Sequence, residues 1–318
     1  MLREHERTQS KLKEDLGQLV LSALSDDEIF EIMLNPDGTL WVEGFARMKE
    51  YGKMAAASAQ NLINTVSSVA ERITDKKSPS FGGELWVEFN NEFKLYRFQA
   101  FMPPIVKYPA FVIRKPAGQN IPIEEFVEDE VITKEQEDAI KEAVKNKKSI
   151  LVAGGTQSGK TTLANAILDY LSRVCQDDRI ITIEDTQELR CTVKNCLSLQ
   201  TSPEKSMNDL IFDAMRARPD RIIIGEVRGK EAHSLIKAWN TGHPGGLSTI
   251  HANSAGSSLL RLEQLIMEAG VAPVPESIAE AVNVLIYIQK THKGKKGRQV
   301  TSILELSGYS KENGYCYV

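Results

Sequence analysis

The eight residues GGTQSGKT, Gly154 to Thr161, fit the pattern G-x-x-x-x-G-K-[ST] in full. The β-branched run SILVAG precedes them, and the apolar-periodic run TLANAILDYLSR follows. A strand, a glycine-rich turn and a helix in that order form a phosphate cradle. Its glycines let the backbone turn tightly and aim N–H groups inward. The helix N-terminus adds positive partial charge. Lys160 would reach the β- and γ-phosphates of ATP, and the Thr161 hydroxyl would bind Mg²⁺. Gly154, Gly155, Thr156, Gln157, Ser158, Gly159 and Thr162 complete the predicted cradle.

Around this turn the chain alternates strands with helices. SILVAGG, RIITIED, RIIIGE and LSTIH read as short strands, and LANAILDYLSRV and KEAHSLIKAW as helices. That alternation predicts an α/β fold with a mostly parallel sheet covered on both faces. VNVLIYIQ and RQVTSILEL, joined by KTHKGKKG, read as a hairpin. The basic turn Lys290 to Arg298, with His292, reads as a solvated loop. A chain of 318 residues suits two domains of roughly 100–200 residues each. Residues 1–115 read as a smaller α+β domain. It holds a helix over residues 12–24, a turn at NPDG, a strand TLWVE and a helix from MAAASAQNLINTVSSVAERI. A hairpin turning at Asn90-Asn91 and a strand FVIRK complete it. Residues 116–132, with two prolines, a glycine and a run of acids, read as a linker. Thr133 and Gln136 form a capping box that opens the second domain, residues 133–318.

Hydrolysis of ATP also needs carboxylates near the metal and the attacking water. RIIIGEVRG ends its strand at Glu226, and RIITIEDTQEL ends in Glu184, Asp185 and Glu188. Both sets lie at strand C-termini, where parallel sheets bind ligands. Spacing does not choose among Glu184, Asp185 and Glu188.

The net charge is −4, which argues against direct nucleic-acid binding. MLREHERTQSKLKED has no apolar leader, and no apolar run approaches the ~20 residues of a membrane helix. A cytoplasmic protein is expected, with room for peripheral association at the inner membrane through partners. Cys175, Cys191, Cys196 and Cys316 offer no zinc-site spacing and are expected as free thiols.

GGTQSGKTT, TIEDTQEL, MRARPDRIIIGEVRG and TGHPGGLSTIHANS, in that order, resemble the four signature motifs of the secretion ATPase superfamily. IFEIMLNPDGTLWVE, YRFQAFMPPI and FVIRKP extend the resemblance to its conjugal-transfer, Trb-type branch. The resemblance implies a RecA-like P-loop ATPase domain and a hexameric ring. That ring would work with inner-membrane components of a type IV secretion or conjugation apparatus. It implies Glu188 as general base, Glu226 as the Walker B glutamate beside Mg²⁺ and His251 as the His-box histidine. It implies that Arg97 and Arg114 reach across to the nucleotide, and that Arg216, Arg218 and Arg228 lie near the subunit interface. Read alone, Arg97 suits a cross-strand partner and Arg114 an edge-strand charge. Two rivals remain: a RecA-like nucleic-acid translocase, and a nucleotide-gated scaffold with little turnover.

His243 and His251 sit eight residues apart in TGHPGGLSTIHANSA. Two histidines without a nearby cysteine make a poor catalytic zinc site, which takes three protein ligands. With carboxylates available as base, a γ-phosphate sensor is the favoured reading of His251. His243 is expected against its own loop or a neighbouring subunit. Gly242, Gly245 and Gly246 are expected to let that loop move.

Overall fold

The computed structural model describes residues 2–44, 48–69, 78–89, 92–115, 121–202, 204–291 and 295–318. Asn90, Asn91, the first five residues of the expected linker and His292 lie outside them. The chain separates into two compact units, Met1–Gly118 and Gln119–Val318.

The first unit has two helices, α1 (Leu2–Ser25) and α2 (Ala56–Val69), and six strands. These are β1 (Ile29–Leu34), β2 (Thr39–Gly44), β3 (Met48–Lys53), β4 (Ser80–Phe89), β5 (Glu92–Phe101) and β6 (Ala110–Arg114). The strands lie in the order β3-β2-β1-β6-β5-β4, every neighbour antiparallel. Both helices pack on this sheet over a core that includes Leu16, Leu62, Phe98 and Phe111. Where one helix is expected over residues 12–24, Gly17 breaks α1 (φ 67°, ψ 164°). Glycine is a poor residue inside a helix, and Leu16 before the break and Leu24 after it are both buried.

The second unit begins with α3 (Ile123–Glu128), α4 (Lys134–Lys145), β7 (Ile150–Gly154), α5 (Lys160–Val174), β8 (Ile180–Glu184) and β9 (Cys196–Gln200). It continues with α6 (Met207–Arg216), β10 (Arg221–Val227), α7 (Glu231–Asn240), β11 (Leu247–His251), α8 (Ala255–Glu268) and α9 (Pro275–Ala281). It ends with β12 (Val284–Lys290), β13 (Arg298–Ser310) and β14 (Gly314–Tyr317). The sheet order is β14-β13-β12-β7-β11-β10-β8-β9. From β12 to β9 all neighbours are parallel, while β13 and β14 add on antiparallel. The sheet is therefore mixed, a parallel body of six strands extended at one edge by the antiparallel β13 and β14. A short hairpin connection permits only antiparallel pairing.

Successive sheet residues feed opposite cores, as the two-residue period of a strand requires. Leu151, Ala153, Ile181, Ile183, Ile222 and Ile224 pack with the buried faces of α6 to α9. Ile150, Val152, Ile180 and Ile223 pack with α3 to α5. Each fully buried aliphatic side chain contributes ~1.5–3 kcal/mol.

Two expectations need correction. The run read as a linker contains α3, whose Ile123 and Phe126 join the core with Val131 and Ile132. Its proline and acids are helix-start chemistry: Pro122 caps α3, and Glu124 and Glu125 occupy the first turn, where the helix dipole favours negative charge. The glycines before β11 do not serve mobility alone. A Cβ on Gly245 would lie 2.6 Å from Arg221 Nη1, and one on Gly246 would lie 2.0 Å from Trp239 Nε1. Arg221 is buried and donates to the Gly245 and Val144 carbonyls and to Asp178. Gly245 and Gly246 are thus packing residues, and of the three only Gly242 has open space around a Cβ.

The Thr133 capping box forms as expected, with both of its hydrogen bonds present. Gly246→Ala should lower stability by about 1–3 kcal/mol, as overpacking does. Urea unfolding followed by tryptophan fluorescence should show a lower midpoint with an unchanged slope. An unchanged midpoint would contradict the close packing of Trp239 on Gly246.

Candidate functional site

The phosphate loop springs from β7, which is hydrogen-bonded in parallel on both sides. Gly154 faces His251 of β11 and Ile288 of β12 in register. A Cβ on Gly154 would lie 2.3 Å from the Ile288 carbonyl oxygen and 2.5 Å from Ser158 Oγ. Gly159 takes the left-handed conformation (φ 98°) at the N-cap of α5 and supplies no side-chain cap. By contrast α4, α6 and α8 each carry a capping box. The first-turn N–H groups of α5 thus suit an anion. Ser158 is 2% exposed and its Oγ has no hydrogen-bond partner. A buried hydroxyl without a partner is unfavourable by ~1–3 kcal/mol, and a phosphate oxygen would satisfy it. These residues fit a nucleotide's phosphates. Thr161 and Thr162 stand half-buried in the first turn of α5.

Lys160 is 6% exposed. Its ammonium donates to the Gly155 carbonyl at 3.0 Å and meets His251 Nδ1 at 3.3 Å. An ammonium only donates, so Nδ1 is the acceptor in this contact. His251 Nε2 lies 2.8 Å from Glu226 Oε1. Arg228 Nε donates to Glu226 Oε2 at 2.8 Å, and its Nη2 bonds the same oxygen. Arg228 Nη1 is 3.9 Å from Asp185 Oδ2. Burial would lower the Arg228 pKa, but Glu226 first, then Asp185 and Glu188, hold it above its ordinary value.

Glu226 owes its aim to a bulge. Between Ile224 and Val227 the β10–β11 register gains one residue, which re-aims the side chain there. Thr249 Oγ1 donates to the Gly225 carbonyl at 2.9 Å within it. Gly225 in the strand was the sequence signal for this feature. It also makes room for Glu184, whose Cγ would lie 3.0 Å from a Cβ at 225.

The three acids at and beyond the end of β8 part company. Glu184 is 3% exposed, and its Oε1 accepts the Glu188 and Leu189 N–H groups, both at 2.9 Å. Asp185 accepts from Thr201 Oγ1 at 3.1 Å. Glu188 is half-buried, close enough for its charge to act on Arg228.

Other predicted residues lie elsewhere. His243 Nδ1 meets the Ala238 carbonyl at 3.3 Å, so it contacts the end of α7 within its own chain. Arg216 ends α6 and Arg218 precedes β10, both exposed. They stand at the start of β10, about 20 Å of strand from its C-terminal end. In the first unit, Arg97 and Arg114 are cross-strand neighbours in one row, with Glu84 opposite Arg97 and Glu31 opposite Arg114. Flanking carboxylates offset the repulsion of adjacent arginines. β6 is an inner strand, so Arg114 is not an edge charge. Among the described residues, no group of three or more His, Cys, Asp or Glu could hold a metal ion by itself.

The family model for "Type II/IV secretion system protein" matches residues 26–304. The chain belongs to this type II/IV secretion system family. A conjugal transfer protein TrbB of Rhizobium radiobacter is 42% identical over 315 residues, covering 99% of this chain and 94% of that protein. A type IV secretion system protein VirB11 of Bartonella quintana is 29% identical over 289 residues, covering 77% of this chain and 78% of that protein. The solved pilus retraction motor PilT with bound ADP shares the fold. Its TM-score is 0.68 at 20% identity, over 91% of this chain and 82% of that one.

Beyond Glu188 this family member carries a thiol pair. Cys191 and Cys196, at the start of β9, are free thiols; hydrogen bonding from the Cys196 thiol lowers the Cys191 pKa to about 7, while Cys196 is pushed up. Cys191 should therefore be the thiol that iodoacetamide alkylates first, its rate rising as pH passes about 7. Peptide mass mapping of Cys196→Ala should show slower labelling of Cys191 at neutral pH, because the donor is gone. Unchanged labelling would contradict the hydrogen bond.

Proposed function

We propose that this chain is an ATP-hydrolysing motor that works as a hexameric ring and energises a conjugative type IV secretion apparatus. The observation that carries the reading is the contact series Lys160–His251–Glu226–Arg228, which joins three of the four motifs at one edge of the sheet. Asp185, from the fourth, approaches the same arginine. The similarity to proteins named for conjugal transfer and type IV secretion supplies the setting. The components it would dock on are those of the inner membrane. No helix among the described residues is long and apolar enough to cross a membrane.

The phosphate loop from Gly154 to Thr162 would hold the ATP phosphates. Lys160 would leave its contact with Gly155 for the β- and γ-phosphates. Thr161 and Glu226 would hold Mg²⁺, which when bound neutralises charge on the phosphates. Glu188 would orient and deprotonate the attacking water. Freed of the Lys160 ammonium, His251 would sense the γ-phosphate. Arg228, Arg97 and Arg114 are proposed to meet phosphate charge, which a planar guanidinium does with two hydrogen bonds. Arg216 and Arg218, at the far edge of the sheet, suit a subunit contact. Arginines supplied from another domain or subunit make hydrolysis conditional on closure, so ATP binding drives movement.

ATP turnover by wild type and Lys160→Ala tests the catalytic claim. The variant should fall to background, and equal rates would overturn the reading. Glu188→Gln should lose about 10²–10⁴ in rate while still binding ATP.

A further inference from the structure

We infer that Asn165 is a positioning residue for hydrolysis, clamping the Glu188 segment to the helix that binds phosphate. Asn165 lies on α5, five residues past Lys160, and is 4% exposed. Its Nδ2 donates to the Glu188 carbonyl at 2.9 Å, and its Oδ1 accepts the Arg190 N–H at 2.9 Å. Both halves of the carboxamide are therefore used on one short stretch of backbone. From the other side, the buried Glu184 carboxylate takes the Glu188 and Leu189 N–H groups.

This arrangement answers a specific need. Residues 185–195 form neither helix nor strand, so their buried backbone groups must find partners outside regular structure. Asn165 and Glu184 provide them for residues 188–190. Asparagine is a poor choice for a helix interior, where its side chain competes with the backbone, and burial of a carboxamide is unfavourable without partners. The clamp accounts for both features at position 165. It also ties the Glu188 backbone to the helix that carries Lys160. A base must be held in place to act, and a small misplacement has a large effect on rate.

The inference rests on the reading of Glu188 as base, and the test separates the two. Steady-state ATP turnover would be measured for Asn165→Ala, Glu188→Gln and the double variant. Thermal melting and nucleotide affinity would run alongside. Asn165→Ala should lower kcat by about tenfold to a hundredfold and leave KM for ATP nearly unchanged. Combined with Glu188→Gln it should cause no further loss, because a misplaced base that is already absent cannot be lost again. Losses that multiply in the double variant would overturn the inference, as would an unchanged kcat or a rise in KM alone. If Glu188→Gln itself turns over like wild type, the base reading fails and this one with it. If Asn165→Ala does not fold, Asn165→Asp replaces it. It keeps the shape and the Arg190 bond but cannot donate to the Glu188 carbonyl, so the same outcomes apply.

Discussion

A buried ammonium needs acceptors, and Lys160 Nζ meets both the Gly155 carbonyl and His251 Nδ1. Burial of a charge is tolerable only when it is bonded or paired. The other ring nitrogen of His251, Nε2, lies 2.8 Å from Glu226 Oε1. Glu226 in turn neutralises Arg228, which also approaches Asp185. Charges alternate along this series from β7 to β11 to β10 and on to β8. The phosphate loop, the two strand-end acids and the histidine therefore form one connected group.

That group depends on register. Parallel pairing sets Gly154 opposite His251, and the bulge in β10 turns Glu226 toward them. The other edge of the same sheet is locked. Arg221, Trp239, Gly245 and Gly246 interlock there with no room for a Cβ. The rigid edge and the ligand edge belong to the same strands, so β11 is anchored at one end and presents His251 at the other. His243 and His251, neighbours in sequence, are separated by the length of that strand and have unrelated surroundings.

Much of this was legible in the sequence because it is local chemistry. The spacing of GGTQSGKT, the β-branched runs of β7, β8 and β10, and the Thr133–Gln136 capping box each act within a few residues. What escaped depends on packing. α3 was masked by prolines and acids that suit a helix start as well as a linker. β9, with only partly buried residues at the sheet edge, has too weak an apolar pattern to stand out. Glu184, Asp185 and Glu188 were equivalent by spacing. Only the path of the loop gives Glu184 to two backbone N–H groups and leaves Glu188 half-buried near Arg228. The pairing of Arg97 with Arg114 likewise required the strand order.

The most direct measurement is a double-mutant cycle on ATP turnover with His251→Gln, Glu226→Gln and both together. If the two side chains act as one connected unit, the double variant should be about as slow as the slower single, a coupling on the order of 1 kcal/mol or more. Losses that multiply independently would mean that the contact between His251 and Glu226 carries no function, and would contradict the central claim.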